Sequence, residues 1–247
     1  VFGLLVNTGG LGVEQMSDPH LVRSAIMRDP LLLMITYLGA VPAVVISIWL
    51  AGRYLDHRPL ADFGFQLNRD WWIDFCFGLG LGAVLMLLVF IAEWSLGWIE
   101  ITGTFVNRYP RVGFVPSLII PLLIFLMVGF YEELFSRGYQ LTNLAEGLSG
   151  KEMGPREAIL IASFISSVIF GLLHASNPNA TRFSTLNIAV AGLMLALGYI
   201  LTGQLAIPVG LHITWNFFQG NVFGFPVSGG NFRSATLIDI QQMGPEW

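Results

Sequence analysis

Apolar residues run in long stretches separated by short polar segments. Leu31–Leu50, Ile73–Ala92, a stretch opening near Val115, Glu157–His174, Phe183–Leu201 and Leu205–Phe223 each approach the ~20 residues an α-helix needs to cross a hydrocarbon core. The pattern predicts an all-α, polytopic transmembrane bundle of about six spans. The stretch from Val115 reads as one helix through Arg137 to about Glu146. That is longer than the hydrocarbon core, so its second half is expected to leave the membrane or lie in the interface. Pro42 and Pro121 predict bends.

The segments between the spans read as loops. Residues 7–30 are polar and end in an Asp29-Pro30 turn signal. Ala51–Asp70 is an aqueous loop with a short interfacial helix expected near Leu60–Leu67. Residues 99–114 and Gly147–Arg156 are polar, Thr202-Gly203-Gln204 is a tight turn, and the tail is rich in glycine. Trp71-Trp72, Trp94 and Trp98 read as interfacial anchors.

Composition supports this reading. The 247 residues are 54% hydrophobic and only 11% charged, against about 25% charged in soluble domains. The 28 glycines suit close helix packing in lipid. A net charge of −4 without a basic stripe argues against nucleic acid as a partner. Cys76 is the single cysteine, which excludes an internal disulfide and a cysteine metal cluster. Its place between Phe75 and Phe77 suggests a packed thiol. Lys and Arg divide almost evenly between the two sides, so orientation stays open. No repeat or soluble domain is evident. The first residue is Val1, Val1–Val6 is too short for a signal-peptide core, and Met243–Trp247 reads as a loop. Further spans are therefore expected before the first residue and after the last.

The candidate chemistry follows the third apolar run, at Phe130-Tyr131-Glu132-Glu133-Leu134-Phe135-Ser136-Arg137. Ionisable groups at membrane depth are rare and usually functional. Glu133 and Arg137 are four apart and can neutralise each other on one helix face. Glu132 lies about 100° round the helix and lacks that partner. His174 lies four after Phe170, and His212 four before Asn216, so each pair shares a face. Glu132, His174, His212 and Asn216 come from three spans and could face one cavity. A carboxylate shielded from water is a stronger base, a histidine beside it can share an activated water, and a histidine–asparagine pair offers two donors to an oxyanion. Ser136 and Ser176 are possible nucleophiles, but nothing marks them as activated. Counted from the span ends, His174 lies near one membrane face and His212 nearer the other. Convergence therefore requires a shifted, tilted or broken helix. The loop Ala175–Thr181 is close enough to His174 to gate the site.

The ordered pattern Glu132-Glu133-x-x-x-Arg137, Phe170-x-x-x-His174 and His212-x-x-x-Asn216 resembles the CPBP family, the CAAX protease and bacteriocin-processing (Abi) proteins, whose eukaryotic relative is the Rce1 prenyl-protein endopeptidase. Arg53–Gly64 and the Gly244-Pro245-Glu246-Trp247 tail resemble it more weakly. The resemblance implies one protease domain over residues 1–247, with a catalytic core at about 115–225. It implies a multi-pass enzyme of a prokaryotic cell membrane that acts on a peptide or protein substrate in or at the bilayer. Glu132 would be the base, His174 its partner on the water, and His212 and Asn216 the oxyanion hole. Glu133, Arg137 and Phe170 would support them. No metal or other cofactor is implied. The residues alone leave three other readings open: a zinc enzyme using glutamate and histidine ligands, a proton-coupled transporter or channel, and a non-catalytic scaffold or immunity protein.

Overall fold

A computed structural model describes residue 14 and residues 17–177, 179–228 and 232–244. Expectations for Val1–Val6 and for Pro245-Glu246-Trp247 fall outside the described residues. The fold is a helical bundle. Helix α1 covers Pro19–Arg28 and α2 covers Pro30–Tyr54. A 3₁₀ turn at Leu60–Phe63 leads to α3, Arg69–Ser95, and strand β1, Ile99–Asn107. Helix α4, Phe114–Glu133, continues as a π-helical segment, Leu134–Leu141, and as α5, Thr142–Leu148. Helices α6, Pro155–His174, and α7, Arg182–Thr202, follow. Helix α8, Ala206–Phe217, runs into a π-helical segment at Phe218–Val222, and strand β2 is Ala235–Gln242.

Five of the described helices are long and apolar enough to cross a membrane: Pro30–Tyr54, Arg69–Ser95, Phe114–Leu148, Pro155–His174 and Arg182–Thr202. Their outward faces carry bare apolar side chains such as Leu38, Phe77, Leu88, Phe164, Leu172 and Leu197, as a surface in contact with lipid requires. The expected sixth span is present but differs in kind. Its 12 α-helical and five π-helical residues fall short of the ~20 needed to span alone. Ala206 and every residue from Pro208 to Ile213 are buried. This segment is the axis around which the spanning helices pack.

Local chemistry sets the helix boundaries. The Asp29 carboxylate accepts from the backbone N–H of Leu31 (2.9 Å) and Leu32 (3.2 Å), and Pro30 opens α2, so the junction of α1 and α2 is an N-cap followed by an N1 proline. The cap also receives Arg111 at 3.1 Å and the Tyr109 hydroxyl, tying the start of α2 to the loop before α4. Helix α7 starts with a Thr181/Ser184 capping box and stops at Gly203, whose φ of 67° is left-handed.

The densest packing lies between α3 and α8, and α8 also packs on α4 and α7. A Cβ on Gly78 or Gly82 of α3 would strike the backbone of Ile207 or Leu211, and one on Gly210 would strike Phe75. These glycines allow two helix backbones to touch, the usual device where lipid supplies no hydrophobic drive.

Several local expectations need correction. The polar segment 7–30 contains α1. Cys76 is exposed rather than packed; it sits on the outward face of α3, where an apolar side chain meets lipid without penalty. Trp71 is buried and donates its indole N–H to the Gly64 carbonyl at 3.0 Å, so only Trp72 of that pair faces outward. Segments 99–107 and 235–242, read as loop and tail, pair as an antiparallel two-stranded sheet running from Ile99↔Gln242 to Asn107↔Ala235. The strands are nine and eight residues long, but the pairing joins distant parts of the chain that no turn signal connects.

The sheet carries an ion pair between Arg108 and Asp239, with Thr102 donating to the same carboxylate at 3.2 Å. Burial pushes the Asp239 carboxyl up, but the Arg108 guanidinium and the Thr102 hydroxyl outweigh it and hold the group below the usual carboxylate range. A group held low in this way contributes stability that is present above its unfolded pKa and lost as pH falls through the folded one. Amide exchange in the two strands, corrected for intrinsic rates, should be constant from neutral pH down and accelerate only below about pH 4. Arg108→Met should loosen the two-stranded sheet at neutral pH by about 1 kcal/mol and remove that acid step.

Candidate active site

The site forms where α4, α6 and α8 meet. Near the end of α4, two consecutive glutamates point into different surroundings, as a 100° step demands. Glu133 is wholly buried. Its Oε1 accepts from Arg137 Nη1 at 3.0 Å, and Arg137 is also wholly buried. The spacing of four therefore gives the expected pair, although the backbone passes from α- to π-helix between the two residues. Arg137 is satisfied further by donating Nη2 to the Gly192 carbonyl at 2.9 Å and by lying 4.3 Å over the Phe170 ring. A Cβ at Gly192 would approach the same guanidinium to 3.1 Å, so a glycine there leaves the room that Arg137 uses.

Glu133 has a second partner that helical spacing does not reveal. His212 Nδ1 lies 2.8 Å from the same Oε1. A carboxylate only accepts, so Nδ1 carries the hydrogen, and Nε2 turns toward Glu132. His174 is oriented in the same way. Its Nδ1 lies 2.8 Å from the Phe170 carbonyl of its own helix, which fixes the hydrogen on Nδ1 and leaves Nε2 bare in the neutral ring. Phe170 packs against both imidazoles, tilted to His174 at a ring-centre distance of 4.8 Å and edge-on to His212 at 6.1 Å.

The two Nε2 atoms meet at Glu132. Its Oε2 lies 3.8 Å from His174 Nε2 and 3.9 Å from His212 Nε2, too far for direct hydrogen bonds. This oxygen is buried without a protein partner. The other oxygen, Oε1, accepts from the Tyr131 hydroxyl at 3.0 Å. One side of the carboxylate is thus held by the protein, and the other faces an open cavity. Glu132, His174, His212 and Asn216 all line this cavity of about 340 Å³, together with Phe170, Tyr37 and Tyr131. Ser136 also lines it, while Ser176 receives Arg23 at 3.5 Å; neither serine shows a hydrogen bond to a histidine or a carboxylate. Among the described residues, no three His, Cys, Asp or Glu side chains are grouped so as to hold a metal ion.

The conflict in depth between His174 and His212 does not arise. Leu205 and Ala206, at the start of α8, are wholly buried, and the Leu205 N–H donates to the Gly64 carbonyl. The 3₁₀ segment thus packs on the start of α8 beside the turn at Thr202–Gln204, and the two histidines meet at Glu132 although the count from the span ends set them apart.

Residues 114–218 match the family model for type II CAAX prenyl endopeptidase, Rce1-like. Over this segment the chain is similar to the Rce1-like family, which supports the resemblance carried by the three motifs. No curated protein and no solved structure matches it. The Rce1-like segment runs from the start of α4 through α8 and includes every residue of the three motifs. The family is one of proteases, and with five helices able to span a bilayer this is a membrane-embedded protein with a peptidase-family domain.

Within the Rce1-like segment, sequence reasoning missed Tyr131 and the bond from His212 to Glu133. Tyr131 is next to Glu132 in sequence, a separation at which helical side chains do not face one another; it reaches the carboxylate because both turn toward the cavity. Tyr37 on α2 packs against the Tyr131 ring at 6.1 Å. At the cavity mouth, Arg23 of α1 donates to Asn177 Oδ1 at 3.2 Å, and Asn177 donates to the Ser228 carbonyl at 2.9 Å. The loop after His174 is thereby tied to two other elements.

Proposed function

We propose that this protein is an intramembrane endopeptidase in which Glu132 activates water, with residues 1–247 forming one protease domain and about 115–225 its catalytic core. The observation carrying this reading is the unpartnered Oε2 of Glu132, nearly equidistant from two imidazole nitrogens. A water that reaches both Oε2 and His174 Nε2 donates one hydrogen to each, since the carboxylate and the bare ring nitrogen are both acceptors. Glu132 removes its proton as the water oxygen attacks the substrate carbonyl carbon. The charge that develops on the carbonyl oxygen is met by His212 and by the Asn216 amide. His212 donates from Nε2 when the ring carries hydrogens on both nitrogens. When the C–N bond breaks, protonated Glu132 returns its proton to the leaving amine, releasing a new carboxyl and a new amino terminus. Phe170 and Arg137 hold the imidazoles and Glu133 in place.

The substrate is a peptide held in or at the bilayer. The test incubates the purified protein in liposomes with membrane-embedded and lipidated peptides and identifies new termini by mass spectrometry. Cleavage at defined bonds is expected. Tight binding of the same peptides without cleavage would instead make the cavity that of a peptide-binding scaffold.

A further inference from the structure

The histidines and Asn216 do not stand at the blind end of one cavity. A second hollow of about 420 Å³ opens on their other side, between α3, α7, α8 and the two-stranded sheet, and shares Phe170, His174, His212 and Asn216 with the first. A peptide bond held at the Glu132 side of this wall therefore has room for chain in both directions. The two hollows differ in chemistry. The first is lined largely by apolar groups such as Phe125, Val128, Phe135 and Leu173. The second is also lined mainly by apolar residues, Met86, Leu195 and Trp215 among them, but it adds the amides of Asn187, Gln219 and Gln242, the Ser184 hydroxyl and the Glu93 carboxylate.

Glu93 is the informative residue. It sits in the last turns of α3, where α3 still belongs to a candidate span, and an ionisable side chain there calls for a partner or a function. It is half-buried, and no salt bridge reaches it from any described residue. A carboxylate in a mainly apolar hollow that also offers amides is complementary to a cation carried on a hydrogen-bonding chain.

We propose that the second hollow is a substrate subsite that receives the peptide on one side of the reacting bond, and that Glu93 selects a basic side chain there. The assignment of the reacting bond rests on the proposed function; the charge preference does not. Binding is therefore measured in the non-cleaving Glu132→Gln background, in liposomes, with fluorescent peptides carrying Lys, Gln or Glu at each position in turn. At one position the Lys peptide should bind about tenfold more tightly than the Glu peptide, a difference of about 1.4 kcal/mol. Adding Glu93→Gln should erase that difference and Glu93→Lys should reverse it, with melting temperatures unchanged. Equal binding of Lys and Glu peptides at every position overturns the proposal, as does a preference that survives Glu93→Gln or a failure of every peptide to bind. Turnover of the same peptides by the unmutated protein is scored separately. A Glu93-dependent preference without turnover would overturn the protease reading and leave the subsite standing, whereas turnover without a charge preference would do the reverse.

Discussion

Arg137→Ala is expected to destabilise the protein by about 3–5 kcal/mol, the usual consequence of removing one member of a buried ion pair. For a chain of this size that lowers the melting temperature by roughly 10 °C or more. Arg137 and Glu133 are both fully buried, and the guanidinium makes three separate contacts, with Glu133, the Gly192 carbonyl and the Phe170 ring. Truncation leaves the Glu133 carboxylate with His212 alone, opens a void under Phe170 and frees both imidazoles to move. Arg137→Lys should recover only part of the loss, because one ammonium cannot reproduce the planar fork that reaches two helices at once. Thermal scanning in detergent measures both effects. An Arg137→Ala protein that melts within a degree or two of the parent would contradict the role given to this pair.

Glu132→Gln is expected to leave stability almost unchanged and to lower the cleavage rate by about 10²–10⁴-fold, the usual contribution of a general base. The amide has the shape of the carboxylate, and its oxygen still accepts from the Tyr131 hydroxyl, so the side chain keeps its position. What is lost is the ability to take a proton from water. A 10³-fold effect corresponds to about 4 kcal/mol in the barrier. The asymmetry between the neighbouring glutamates is the sharper test. Glu133→Gln should lower both stability and rate, because Glu133 neutralises Arg137 and orients His212, whereas Glu132→Gln should lower the rate alone. Melting temperatures measured beside single-turnover rates separate the two.

The sequence made the spans legible because lipid enforces long apolar runs, and it made the site residues legible because ionisable groups in such runs need reasons. The i,i+4 spacings gave Glu133–Arg137 and Phe170–His174 as neighbours, and both are in contact. Three kinds of feature were not legible. Which way a helix faces is hidden when it is apolar all round, so Cys76 and Trp71 were assigned to the wrong environments. Contacts between helices carry no mark in a single sequence, so the bond from His212 to Glu133 and the Arg137–Gly192 contact were invisible. Depth was misjudged at α8, because counting from a polar turn assumes that the turn marks the membrane surface. The β1–β2 pairing was missed because the two strands lie far apart in the chain and no turn signal joins them.

The central claim is that one carboxylate, Glu132, activates the water that cuts the peptide. Its most direct test is a paired cleavage measurement on the unmutated protein and Glu132→Gln in liposomes, with the same pool of membrane peptides, in the presence and absence of a strong metal chelator. The account predicts defined cleavage by the unmutated protein that persists under chelation and falls by at least 10²-fold in a Glu132→Gln protein that melts normally. Cleavage that continues in Glu132→Gln, or that disappears when metal is withdrawn from the unmutated protein, would contradict it.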